Sequence, residues 1–188
     1  MRPLASIFAI FLTGSILGTG ASFGAAATKL LGKHQAWDAS VRTVGKEKVC
    51  YISSLPKKST GKYKTRGEVS VIVAHWPKRK RWAEVTINAG YRYKKKSEVL
   101  VRIAGGDHRL FTEGEQAFAY QNEDAKLLRA MRAGASMAVA GISARGTKTI
   151  DLYSLKGISA ALKAIDKECR GKAKKRTVKR KRKRRRKR

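Results

Sequence analysis

Three short stretches set flat rings among cations. In WPKRKRW, Lys78, Arg79, Lys80 and Arg81 lie between Trp76 and Trp82. In YRYKKK, Tyr91 and Tyr93 accompany Arg92, Lys94, Lys95 and Lys96. In KKSTGKYKTR, Tyr63 is surrounded by Lys57, Lys58, Lys62, Lys64 and Arg66. Cationic side chains pair with phosphate, while Trp and Tyr settle at a headgroup interface or stack on a base or sugar. The same lysines also keep strands soluble and block edge pairing, and the tryptophans equally suit a core. The chain then closes on an unbroken cationic run: Lys179, Arg180, Lys181, Arg182, Lys183, Arg184, Arg185, Arg186, Lys187 and Arg188.

Catalytic chemistry is poorly represented. A Ser-His-Asp set can be assembled on paper from Ser143, His108 and Asp151, but the GxSxG turn that presents a nucleophilic serine is absent. GISARG and AGGDH lack the Lys-Ser/Thr ending of a phosphate loop. Two distant cysteines and the scattered His34, His75 and His108 are too few for a zinc site. No catalytic, cofactor-binding or metal-binding residue is assigned, and neither an enzymatic activity nor a small-molecule substrate is expected.

Charge and compartment narrow the partners. Of 44 Lys and Arg, 15 lie from Arg170 onward and one, Arg2, near the start; the other 28, with all 13 acidic residues, lie in Thr28 to Cys169, which therefore carries +15. Such a field concentrates anionic partners without selecting among them. Residues 1–27 read as a signal peptide: a charged start, an apolar run LASIFAIFLTGSIL, and Ala25, Ala26 and Ala27 at the end. The alternative is a membrane anchor, but the run is broken by Thr13, Gly14 and Ser15 and falls short of the roughly 20 residues that cross a bilayer. Export implies oxidising conditions, and one Cys50–Cys169 disulfide is the simplest use of the two cysteines. Two separate buried thiols are the alternative.

The elements that must position these groups are mostly strands. Period-two alternation places Val69, Val71 and Val73 on one face, then Val85 and Ile87, then Val99, Val101 and Ile103, with Glu84, Thr86, Asn88, Glu98 and Arg102 on the wet side. Further strands are expected over 36–41, 49–54, 108–112, 116–120, 135–143 and 147–155, with tight reversals at AGGD and ARGT. Two helices interrupt them. One is expected over about 122–133, capped by Asn122 and closed by Gly134; the other over about 157–168, with Ile158, Ala161, Leu162 and Ile165 on one stripe that Cys169 continues. The expected fold is α+β, mostly β: residues 28–169 as a single antiparallel sandwich or open-barrel-like domain with two packed helices. Residues 170–188 hold no acid, no aromatic and one β-branched aliphatic residue, Val178, and read as a disordered tail.

AGYRYKKKSEVLVRI, HRLFTEGEQAFA, LLRAMRAGASMAVAGISARGTKTIDLYSLKGISAAL and the flanking CYISS and IDKEC resemble the invasion-associated locus B family of alphaproteobacterial exported proteins. The likeness covers roughly Val49 to Cys169 and is densest in SARGTKTIDLYSLKG. It implies an exported, periplasmic, non-enzymatic domain, named for a locus linked to entry of host cells. The family's paired cysteines would map onto Cys50 and Cys169. The polybasic tail and the lysine-rich loops depart from the family pattern.

Outside the cytoplasm the abundant polyanions are phospholipid headgroups, lipopolysaccharide phosphates and anionic glycans. The sequence is therefore read as an exported binding or envelope protein, periplasmic, outer-membrane-associated or secreted. It would adhere to anionic lipid, lipopolysaccharide or glycan surfaces through the tail, Trp76 to Trp82, Arg92 and Lys94 to Lys96. The second reading is non-specific binding of nucleic acid through the same residues. A third makes the tail a nuclear address used after delivery into a host cell.

Overall fold

The computed structural model describes residues 28–121 and 123–170. The expected signal peptide, the Asn122 cap and the tail beyond Arg170 lie outside them. Eleven strands form one antiparallel sheet, β1 (Lys29–His34), β2 (Trp37–Val44), β3 (Glu47–Ser54), β4 (Lys58–Gly61), β5 (Ser70–Trp76), β6 (Arg81–Asn88), β7 (Glu98–Ile103), β8 (Gly106–Glu113), β9 (Gln116–Ala119), β10 (Ser136–Ile142) and β11 (Lys148–Ser154). The helices are α1 (Asp124–Ala133) and α2 (Ile158–Arg170).

The order across the sheet is β1-β2-β3-β5-β6-β9-β8-β7-β10-β11-β4. Between β3 and β4 the chain has only Leu55, Pro56 and Lys57, a reach of about 14 Å from Ser54 to Lys58. In a flat sheet those strands would be eight spacings, about 38 Å, apart. The sheet must therefore curl until its β11–β4 edge approaches β2 and β3. Hydrogen bonds across that approach record it: the Trp37 indole donates to the Ser154 carbonyl at 3.1 Å, and Ala36 N–H to the Lys156 carbonyl at 3.3 Å. One curled sheet that does not close is the open-barrel form of the expected architecture, not two stacked sheets.

Alternation explains which residues face inward. Val71 and Val73 on β5, Val85 and Ile87 on β6, and Val99, Val101 and Ile103 on β7 are all buried in one core with Trp37, Ile52, Leu110 and Met131. The β7–β8 reversal uses Ala104 and Gly105 at φ +47 and +81, the geometry expected for AGGD. The α2 stripe of Ile158, Ala161, Leu162 and Ile165 is buried, and the helix packs on β1, β2 and β3. This carries Cys169 to Cys50, and the two form a disulfide with Cα atoms 6.2 Å apart.

Several local expectations need correction. Glu84, Thr86 and Asn88 are half-buried and not wet: Asn88 hydrogen-bonds the Ser70 and Gln116 side chains, and Glu84 pairs with Arg81. Gly134 closes α1 with an extended φ of −83, so the left-handed cap does not form; glycine is required because a Cβ there would stand 2.6 Å from Ile103 Cγ2. Strands β1 and β4 form at the sheet edges from sequences with no clear alternation, KLLGKH and KSTG. Gly157, at φ +92, turns the chain from Leu155 into α2 directly against the His34 carbonyl, leaving no room for a side chain.

Candidate functional site: two basic surfaces at opposite ends of a hairpin

The β5–β6 hairpin separates the three basic-aromatic stretches. Trp76 pairs with Arg81 at its tip and Ser70 with Asn88 at its base, six residues or about 20 Å along β5. WPKRKRW forms the tip. The segments carrying Tyr63 and Tyr91 leave from the base.

At the tip, residues 77–80 make the tight turn, with Lys80 at φ +54. Trp76 is half-buried and Trp82 exposed. Cations cover both rings: the Arg79 guanidinium lies 4.4 Å from the Trp76 ring centre, and that of Arg170 lies 4.5 Å from Trp82. Arg79 also pairs with Glu47 at 2.9 Å, Arg81 pairs with Glu84, and Lys78 donates to the Lys46 carbonyl. Part of the charge expected to face a ligand is thus matched within the fold, while Lys78, Arg79, Lys80 and Arg81 remain exposed to solvent.

Behind Trp82 lies His75, buried at 1% exposure and paired in register with Cys50 across β3 and β5. Its Nδ1 accepts the Ala83 N–H at 3.0 Å, so Nε2 carries the proton of the neutral ring, 3.2 Å from Asp166 Oδ1. Desolvation pushes the imidazole pKa down and the Arg170 charge pushes it further; together they outweigh Asp166. The His75–Asp166 contact at neutral pH is therefore a hydrogen bond from an uncharged ring to the Asp166 carboxylate and not a pair of opposite charges. Its role is to fix α2, and through it Arg170, beside the tip.

The base of the hairpin is organised around Arg66. Its guanidinium donates two near-parallel hydrogen bonds to Asp151, at 2.7 and 2.6 Å, and a third from Nε to the Ala89 carbonyl at 2.6 Å. The Tyr91 ring lies 4.9 Å from the guanidinium, and Tyr91 Oη meets Thr149 Oγ1 at 2.6 Å. Burial works against the Arg66 charge, but the Asp151 hydrogen bonds and charge more than offset it, so its pKa is raised. Tyr93, which forms an isolated bridge with Ser143, is buried in the core with its ring edge-to-face 5.3 Å from that of Tyr91, and desolvation drives its phenol pKa up. It does not face a ligand beside Tyr91.

Above this buried pair opens a cleft of about 520 Å³ lined by Lys62, Tyr63, Lys64, Tyr91, Arg92 and Arg145, with the hydroxyl-bearing Thr65, Ser143, Thr147 and Thr149. Backbone bonds hold its walls together: Ala144 N–H to the Arg92 carbonyl at 2.8 Å, and Gly67 N–H to the Gly90 carbonyl at 2.8 Å. Gly61 pairs with Thr149, which places Lys62 against the β10–β11 turn. Lys94, Lys95 and Lys96 are exposed just beyond, where Lys94 N–H bonds the Ile142 carbonyl. Arg145 was not singled out in the sequence; its stretch carries one charge and no aromatic.

The paper triad does not assemble. His108, Val101, Val139 and Asp151 lie in line across β8, β7, β10 and β11, which sets the histidine about 14 Å from the aspartate, and Asp151 is held by Arg66. Ser143 Oγ instead accepts the Thr147 N–H at 3.1 Å and shapes the β10–β11 turn.

Comparison with known proteins adds one match. A family model described as Invasion associated locus B (IalB) protein matches residues 37–166, which takes in both ends of the hairpin and the whole cleft. No curated protein and no solved structure matches.

Proposed function

The chain belongs to the invasion associated locus B family, and on that premise we propose that it is an exported envelope protein that adheres to anionic surfaces. Adhesion would run through the Trp76–Trp82 tip together with the polybasic residues that follow Arg170. The observation that supports this reading is the stacking of Arg170 on Trp82 at 4.5 Å. The last described residue of α2 sits on the tip's exposed ring, so the cationic residues 171–188 join the domain at the tip and not at a distant point of the surface. No helix among the described residues is long and apolar enough to cross a membrane.

Each Lys or Arg brought near an anionic bilayer contributes about 1 kcal/mol, and salt screens the attraction within roughly 10 Å. Lipid headgroup phosphates and lipopolysaccharide phosphates both satisfy this chemistry, as do acidic glycans. Exposed Trp82 adds a ring suited to a headgroup interface.

The test is co-sedimentation of the full mature chain with phosphatidylglycerol-containing and purely zwitterionic vesicles across a salt series. Binding should require the anionic lipid, fall steeply with salt, be lost in a chain ending at Arg170 and be weakened by Trp82→Ala. Salt-independent binding, or full binding without residues 171–188, would overturn the proposal. Tighter binding to nucleic acid of matched charge than to any vesicle would favour the second reading.

A further inference from the structure

We propose that the cleft at the base of the β5–β6 hairpin is a separate binding site for a phosphate or sulfate monoester carried on a sugar. None of its lining residues belongs to the tip or to the tail, so this inference does not depend on the adhesion proposal.

The first argument is charge that the fold leaves unmatched. Arg66, Arg79, Arg81, Arg102 and Arg109 each pair with a carboxylate. Among the described residues, Lys62, Lys64, Arg92 and Arg145 form no ion pair, and the cleft lining includes no Asp or Glu. Asp151, on β11 with the cleft's Thr149, is already matched by two hydrogen bonds from Arg66. Four exposed cations facing one concavity repel one another, and a bound dianion relieves that repulsion. Planar guanidinium groups on Arg92 and Arg145 suit tetrahedral oxyanions because each offers paired donors.

The second argument is that the walls are built. Tyr91 and Thr149, joined by a hydrogen bond, form the floor, and the Tyr91 ring is backed by the Arg66 guanidinium that Asp151 holds. Backbone bonds fix Arg92 to the β10–β11 turn and the Arg66 segment to Gly90. A floor of this kind fixes where the arginine backbones stand, so less conformational freedom is lost when an anion arrives.

The third argument concerns the body of the ligand. A volume of about 520 Å³ lies in the range of small-molecule sites, larger than a bare oxyanion needs. Exposed Tyr63 offers a ring face, and Thr65 and Thr147 offer hydroxyls that can both donate and accept. A ring of carbon-bound hydrogens edged with hydroxyls matches that lining. The concavity excludes a planar bilayer, which needs a convex or flat contact.

The experiment is heteronuclear NMR titration of the full mature chain with glucose 6-phosphate, glucose 6-sulfate, glucose, inorganic phosphate and adenosine monophosphate. One or both sugar esters should shift the amides of residues 62–65, 91–92 and 143–149 and should bind at least ten-fold more tightly than inorganic phosphate or glucose. Which ester binds more tightly identifies its source chemistry. Arg92→Gln and Arg145→Gln lie on exposed positions, and each should weaken the ester at least ten-fold while leaving the rest of the spectrum unchanged; Arg145→Gln should also leave vesicle binding unchanged. Shifts confined to residues 76–82 and the tail, equal affinity for inorganic phosphate, tighter binding of adenosine monophosphate, or unaltered affinity in both variants would each overturn the assignment.

Discussion

Arg66 and Asp151, 85 residues apart in the chain, face each other through two hydrogen bonds of 2.7 and 2.6 Å with side chains only 6% and 4% exposed. Removing one member strands the other's charge in the interior, which costs about 3–5 kcal/mol. Asp151→Asn should therefore lower the unfolding free energy by that amount, seen in urea as a lower midpoint at unchanged slope, and Arg66→Met should do so comparably. The double variant Arg66→Met with Asp151→Leu should recover much of the loss, because no buried charge is left alone. An Asp151→Asn protein as stable as the parent would show that the pair is solvated in solution.

The Cys50–Cys169 disulfide spans 119 residues. On the chain-entropy account a loop of that length stabilises the fold by about 5 kcal/mol, so Cys50→Ala with Cys169→Ala should bring the thermal midpoint down sharply. Intact mass of protein recovered from its native host, measured with and without reduction, checks the bond and the export reading together. The expected species begins near Thr28 and takes up alkylating agent at both thiols only after reduction. A species that begins at Met1 with two free thiols would move nucleic acid from second to first place among partners.

His75 gives stability a pH dependence of known sign. Its imidazole pKa is lowered in the fold, by burial first and then by Arg170. The unfolded chain therefore binds more protons than the native one below the ordinary histidine value of about 6.5. Stability from the neutral ring is present above that value and is lost as pH falls toward the depressed native pKa. Thermal midpoints between about pH 7.5 and 5 should fall in the parent and fall less in His75→Gln, which keeps a neutral donor at this position. Parallel curves would show that His75 does not titrate differently on folding.

Strands whose faces differ in polarity were legible in the sequence. EVLVRI alternates cleanly and became β7 with both ends as expected, Glu98–Ile103. KSTG has no apolar residue and becomes β4 only because β11 presents a free edge, so pairing and not pattern creates it. Each basic cluster could be seen, but not their grouping. Lys62 and Lys64 meet Arg92 and Arg145 because the chain jumps from β3 to the far edge of the curled sheet and returns to β5, a path that side-chain periodicity does not encode. The Arg66–Asp151 pair was hidden for the same reason: neither residue's neighbours announce a partner 85 positions away in sequence.

The disulfide also decides how the domain bears load. Arg170 follows Cys169 directly, and Cys169 is bonded to Cys50 in β3, the third strand of the sheet. A pull applied through residues beyond 170 passes across the sulfur–sulfur bond into β3, which is paired on one side with β2 and on the other with β5. Helix α2 lies outside that line of force and cannot be peeled away turn by turn. Tension is instead delivered to a strand held by ladders on both flanks, so a tethered domain would resist detachment mechanically until the bond is reduced.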